Sequence, residues 1–121
     1  RSGLYRAGYL NDVDLEYIQG EGVVGDLAGV YFSRSGEIIS LELNERMIAI
    51  SHDIMRKIPV RIGVSWGTPK ALPNLGAVRS GLINVLITDE TAAREMLSLA
   101  DADGLDAPTP AIAAASRTEP A

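Results

Sequence analysis

Apolar residues fall at two spacings along the chain, and their alternation with capping and turn residues divides it into helices and strands. Asn11 is placed to cap a helix over Asp12–Gln19: Leu10 and Leu15 stand at hydrophobic-staple positions, and Asp12, Asp14 and Glu16 favour the positive end of the dipole. Gly20 and Gly22 end it. Val23–Phe32 is β-rich but punctuated by glycine; Ser33-Arg34-Ser35-Gly36 reads as a turn and Glu37–Leu43 as a return strand. Ser51 caps a short helix over His52–Lys57, with Ile50 and Met55 as its staple and Pro59 beyond its end.

The second half has a different rhythm. Val60–Ser65 is expected to form a buried strand entering the loop Gly67-Thr68-Pro69, followed by a helix capped by Thr68, with Pro69 at its first position, that runs to about Arg79. Leu82–Ile87 is a nearly continuous apolar run, the pattern of a parallel strand covered on both faces. Thr88 or Asp89 caps a last helix in which Ala92, Ala93, Met96, Leu97 and Ala100 keep the helical period. This β-loop-α-β-α order with a right-handed crossover predicts an α/β fold containing a parallel sheet.

Composition then sets a boundary. Residues 101–121 hold half of the six prolines, only two large aliphatics, and Arg117 against Asp101, Asp103, Asp106 and Glu119. Such a stretch buries too little apolar surface to offset about 1–2 kcal/mol of ordering entropy per residue. The expected organisation is a folded part over 1–100 and a disordered acidic Ala/Pro-rich tail over 101–121. The net charge of −5 repels phosphate backbones, which argues against nucleic-acid binding by this segment alone. No apolar run approaches the roughly 20 residues that span a bilayer, and the first residues lack the apolar core of a secretion signal, so the default setting is cytoplasmic, without membrane. Zero cysteines exclude disulfides, thiolate zinc sites and a cysteine nucleophile, and the single His52 excludes a multi-histidine metal cluster. No metal and no cofactor are expected. The first residues supply neither an initiator Met nor a capped element, so a fragment of a longer polypeptide is expected.

Ligands of open parallel sheets gather outside the carboxyl ends of strands. One candidate is Ser65-Trp66-Gly67-Thr68-Pro69-Lys70, where backbone N–H groups, the Thr68 hydroxyl and the Lys70 ammonium could converge on an anion; a plain helix start with a solvated lysine explains the same residues. A second is Asp26, a lone carboxylate in an apolar segment, which needs partners if buried. It either hydrogen-bonds the backbone of a glycine turn or accepts hydrogen bonds from sugar hydroxyls. Thr88, Asp89 and Glu90 read as a helix start, and His52 beside Asp53 as a solvated or capping histidine. Trp66 reads as a core ring, and Asn84 as an amide satisfied by a neighbouring loop. No nucleophile-base-orienter set, carboxylate pair or metal quartet can be assembled.

The order of the motifs adds more. Gly25-Asp26-Leu27-Ala28-Gly29 with Tyr31-Phe32, then Leu43–Ile50, then Ile58-Pro59, then Gly67-Thr68-Pro69-Lys70-Ala71, then Gly76–Glu90 resembles the C-terminal half of the sugar-binding domain of SorC-type bacterial transcriptional regulators. The resemblance spans about Leu10–Leu99 and implies a partial Rossmann-like three-layer α/β/α effector domain, similar to the fold of sugar-phosphate isomerases and CoA transferases. It implies binding of a phosphorylated sugar, a homo-oligomer (dimer or tetramer), and DNA contact only through an absent N-terminal helix-turn-helix. By position, Asp26 matches the acidic residue that contacts effector hydroxyls, and Lys70 a basic residue reached from the Gly67-Thr68 loop. Trp66 departs from the small residue common there, and Pro73 with Gly76 departs from an Ala-rich helix, Pro73 being expected to kink it. The resulting expectation is an effector-binding and oligomerisation fragment, not an enzyme, with Asp26, Gly67, Thr68 and Lys70 as ligand-binding residues and no catalytic residue. Two alternatives stand beside it: an isomerase-like enzyme in which Asp26 is a general base, and a truncated paralogue that only oligomerises.

Overall fold

Each helix of the first half starts where its cap stands. The computed structural model describes residues 3–104, so the expected tail lies, from residue 105 on, outside the described residues. After a single turn, α1 (Gly3–Arg6), helix α2 (Asp12–Gly20) opens with a reciprocal capping box: Asn11 Oδ1 accepts from Asp14 N at 2.9 Å, and Asp14 Oδ2 from Asn11 N at 3.1 Å. The β-rich stretch expected over Val23–Phe32 divides into β1 (Val23–Leu27) and β2 (Val30–Ser33). The turn between them places Ala28 at φ 49° and Gly29 at φ 80°, both left-handed, as a two-residue hairpin matching strand twist requires. Strand β3 (Ile38–Ile39) adds to β2, giving an antiparallel sheet in the order β1-β2-β3. The return strand expected to reach Leu43 stops early because Asn44 reshapes the chain. Its Oδ1 accepts from Leu41 N and its Nδ2 donates to Gly29 O, both at 2.8 Å, and Glu42–Arg46 winds into a 3-10 helix.

In the second half, Ser51 Oγ caps α3 (His52–Arg56) through Ile54 N. Strands β4 (Ile62–Val64) and β5 (Val85–Ile87) pair in parallel, Ile62 with Val85 and Val64 with Ile87. Between them a 3-10 turn, Thr68–Lys70, leads into α4 (Ala71–Ser80), and α5 (Glu90–Asp103) follows β5. The fold is therefore mixed α/β with a small parallel sheet. Because the α-helix begins at Ala71 instead of Pro69, Pro73 falls in its first turn, where an N–H has no intrahelical acceptor, and the expected kink is absent. Asn84 is satisfied by a loop as expected: its Oδ1 accepts from Arg61 N and its Nδ2 donates to Pro59 O, both at 2.8 Å.

Helix α4 organises the core. It lies on the β1–β2 hairpin so closely that a Cβ at Gly76 would stand 2.7 Å from Ser33 O and 2.9 Å from the Phe32 ring. A Cβ at Gly25 would stand 2.9 Å from Phe32 and 3.1 Å from Pro73 Cβ. Phe32 and Leu82 are fully buried in this cluster with Val30, Ala77 and Ile83. A second cluster, Ile18, Tyr31, Leu41 and Leu43, fills the other side of the antiparallel sheet. Helix α5 runs three residues past the expected boundary at 100. Asp103 anchors its last turn, accepting from Arg34 Nη2 at 2.7 Å and Arg79 Nη1 at 2.8 Å, which holds its carboxyl below the usual range. Gly104, at φ 60°, then ends the helix.

The apolar pattern asks for cover on both faces of these strands, and the described residues supply it on one. Gly63 and Leu86 face Ile83 and the core, but the opposite face of the parallel pair is bare among the described residues: Ile62, Val64, Val85 and Ile87 are 42–62% exposed.

Two outcomes follow from this packing. Gly76→Ala gains about 1 kcal/mol of helix propensity but drives a methyl into backbone and ring atoms, which costs about 1–3 kcal/mol or more. The denaturation midpoint is therefore expected to fall, and a raised midpoint contradicts the close α4–hairpin contact. The 121-residue chain on its own is expected to self-associate through the bare β4–β5 face; light scattering from a monodisperse, heat-stable monomer contradicts that.

Candidate functional site

A cavity of about 180 Å³ opens where β1, β4 and α4 meet, and Asp26, Gly63, Ser65, Lys70, Pro73 and Asn74 line it. Two of the four candidate residues therefore come together there. Asp26 is carried by β1 just before the Ala28–Gly29 turn, where its carboxylate is hydrogen-bonded to the Gly29 backbone. Burial pushes its carboxyl above the ordinary range, and the Gly29 bond and the Lys70 ammonium offset part of that rise. Asp26 thus braces a glycine turn, as one of its two readings expects, and also lines a cavity that Lys70 shares. Lys70 closes the 3-10 turn and is exposed, so its charge stays solvated while its electrostatic reach includes Asp26.

Gly67 and Thr68 are not among the residues lining that cavity. The Gly67 N–H donates to Asp89 Oδ1 at 2.6 Å, so this donor is occupied, and the carboxylate beside it opposes an anion. Hydrogen bonds from Thr91 and from Gly67 hold the Asp89 carboxyl below its ordinary range. Asp89, expected only to begin a helix, also fastens the loop that presents Lys70. Trp66, expected in the core, is 75% exposed. The sheet pairing ends just before it, at Ser65 N bonded to Ile87 O, and nothing among the described residues covers the ring.

Asn74 escaped sequence reasoning, and Ser65 entered it only as the first residue of the candidate loop. Ser65 Oγ donates to Asn74 Oδ1 at 2.6 Å, and Asn74, only 7% exposed, has no partner for its Nδ2. The available signal was an amide one turn beyond Lys70 in the otherwise apolar run Ala71-Leu72-Pro73-Asn74-Leu75. A second cavity, of about 220 Å³, is lined by Tyr31, Asn44, Met47 and His52 among others. The Asn44 amide is occupied by backbone, and His52 Nε2 lies 3.3 Å from Asp53 Oδ1. No group of three or more His, Asp or Glu among the described residues could hold a metal ion, and no helix there is long and apolar enough to cross a membrane.

The fold and site thus join a half-buried carboxylate and an ammonium at one small cavity on a mixed α/β scaffold. Residues 1–98 match the family model described as "Putative sugar-binding domain", and the chain belongs to that family, whose members include the sugar-binding domains of SorC-type transcriptional regulators. It is 35% identical over 98 residues to the transcriptional regulator LsrR of Enterobacter sp. (strain 638), covering 80% of this chain and 30% of that one. Among solved structures, a domain of a possible sugar-binding transcriptional regulator from Arthrobacter aurescens TC1 is 39% identical, with a TM-score of 0.69 over 74% of this chain and 35% of that one. The full-length sorbitol operon regulator SorC from Klebsiella pneumoniae is 26% identical, with a TM-score of 0.70 over 79% of this chain and 32% of that one. The chain thus spans about a third of the length of the relatives it matches.

The buried Asp26 makes a signed prediction. Because its carboxyl titrates higher folded than unfolded, the folded state binds the extra proton, and the ionised group weakens the fold as pH rises through that window. Asp26→Asn is expected to raise the melting temperature at pH 7, with the gain vanishing below about pH 4, where the unfolded carboxyl is protonated too. A variant less stable than the parent at pH 7 contradicts the buried, weakly compensated carboxylate.

Proposed function

We propose that this chain is the C-terminal half of the effector domain of a sugar-responsive transcriptional regulator, and that its β1–α4 cavity takes a phosphorylated sugar. The observation that carries the reading is the meeting of Asp26 and Lys70 in one cavity. The carboxylate accepts hydrogen bonds from sugar hydroxyls, and the ammonium complements the phosphate. Gly67 and Thr68 enter at second hand: the Asp89-anchored Gly67 loop and the Thr68 turn set where Lys70 begins its reach. The rest of the regulator covers the bare β4–β5 face, completing a Rossmann-like three-layer domain. A separate N-terminal helix-turn-helix makes the DNA contact, in keeping with the net charge of −5 here, and the effector domains associate as a dimer or tetramer in the bacterial cytoplasm. The named relatives are transcriptional regulators, which supports ligand binding without turnover. An isomerase-like enzyme would need Asp26 as a general base, and sugar phosphates incubated with the full-length protein would then be converted to product.

Calorimetric titration of the full-length protein with sugars and their phosphates tests the site. Lys70→Ala is expected to weaken phosphorylated sugars about ten- to a hundredfold, the worth of one charge-assisted hydrogen bond, and unphosphorylated sugars much less. Asp26→Asn, which keeps one acceptor without the charge, is expected to weaken both. Equal loss of sugar and sugar phosphate in Lys70→Ala contradicts the phosphate role.

A further inference from the structure

We infer that Asn74 is a specificity-determining residue of this cavity, donating from its Nδ2 to an acceptor oxygen of the bound sugar, with Ser65 as its positioning residue. The inference rests on the reading of the cavity as a sugar site and adds a third recognition point to it. Three observations carry it. Asn74 is more than nine-tenths buried, lines the cavity with Asp26 and Lys70, and has a buried Nδ2 without a partner. The Ser65 hydroxyl donates to Oδ1 at 2.6 Å, and in this arrangement the NH2 edge is the side left to act. Finally, the residue stands among Ala71, Leu75 and Ala77 on the buried face of α4, where an apolar side chain would leave no polar atom unsatisfied.

An unpartnered buried donor destabilises a fold, and the residue that carries it is one that lines the cavity. The chemistry is complementary to that of its neighbours. Asp26 only accepts hydrogen bonds while ionised, Lys70 only donates, and the Asn74 NH2 donates without charge. The three therefore ask for hydroxyl donors, an anion, and a hydroxyl, ring or carbonyl oxygen on one ligand. The backbone fixes this arrangement: Pro73, adjacent to Asn74, is pressed against Gly25, adjacent to Asp26.

The test uses the full-length protein, a panel of pentose 5-phosphates and hexose 6-phosphates, and the single-deoxy analogues of whichever member binds. Asn74→Leu is expected to weaken that sugar phosphate about three- to tenfold while leaving the ligand-free melting temperature unchanged or raised. At one ring position the parent protein is expected to lose affinity for the deoxy analogue, and Asn74→Leu to be indifferent to the same deletion. Ser65→Ala is expected to give a smaller loss at that same position. Identical deoxy penalties at every position in parent and Asn74→Leu overturn the assignment of Asn74 and leave the cavity standing. Binding of no sugar or sugar phosphate by the parent overturns the sugar site itself, and this inference with it. If Asn74→Leu does not fold, the side-chain amide resonance of Asn74 decides in the parent: a shift on titration with the sugar phosphate supports the donor role, and an unmoved resonance at saturation overturns it.

Discussion

The close approach of α4 to the β1–β2 hairpin is the constraint from which the rest of the site follows. Two positions without side chains, Gly25 and Gly76, let the helix settle against Phe32 and the Ser33 carbonyl at distances no Cβ would tolerate. That contact brings the end of β1, and with it Asp26, alongside the first turn of α4, with Lys70 immediately before it and Asn74 within it. Asp26 and Lys70 are 44 residues apart in sequence, yet the geometry needs no mobile loop to unite them. The loop that carries Lys70 is itself held to the following strand-helix junction by the Gly67–Asp89 hydrogen bond. Asp89 thereby links the parallel sheet to the cavity.

Much of this was legible residue by residue. The caps Asn11 and Ser51, the β-α-β-α order and the need of Asp26 for a partner all rest on local chemistry: a side chain that bonds nearby backbone, or a charge in an apolar segment. What the sequence hid depended on contacts across the fold. The hairpin turn at Ala28–Gly29 was hidden within the β-rich, glycine-punctuated Val23–Phe32, because neither glycine alone marks a turn and Ala28, left-handed at φ 49°, leaves no compositional mark. The return strand ended early because Asn44 reaches the distant Gly29 carbonyl. The helix persisted to Asp103 because Arg34 and Arg79, from elsewhere in the chain, pair with its last turn. Pro73 kinks a helix that starts at Pro69 but not one that starts at Ala71, where it lies in the first turn.

The same distinction governs the candidate site. Gly67 and Thr68 have the local appearance of an anion cradle, but whether a backbone donor is available depends on what else approaches it, and here a carboxylate does. Asn74 and Ser65 carry no motif, since an asparagine one turn into a helix becomes informative only when its burial and its missing partner are known. The bare face of β4 and β5 likewise turns an apolar run that signals a buried strand into a statement about what must cover it. Exposed Ile62, Val64, Val85 and Ile87 are the sequence signature of a sheet interior, presented to solvent in this segment.

The central claim is that the β1–α4 cavity is the place where a phosphorylated sugar is held. A crystal structure of the full-length protein with a bound sugar phosphate tests it most directly. The account predicts ligand density in this cavity, with sugar hydroxyls within hydrogen-bond distance of the Asp26 carboxylate and the phosphate on the Lys70 side. A sugar phosphate seated elsewhere, for instance in the cavity lined by Tyr31, Asn44 and His52, with Asp26 and Lys70 untouched, would contradict it.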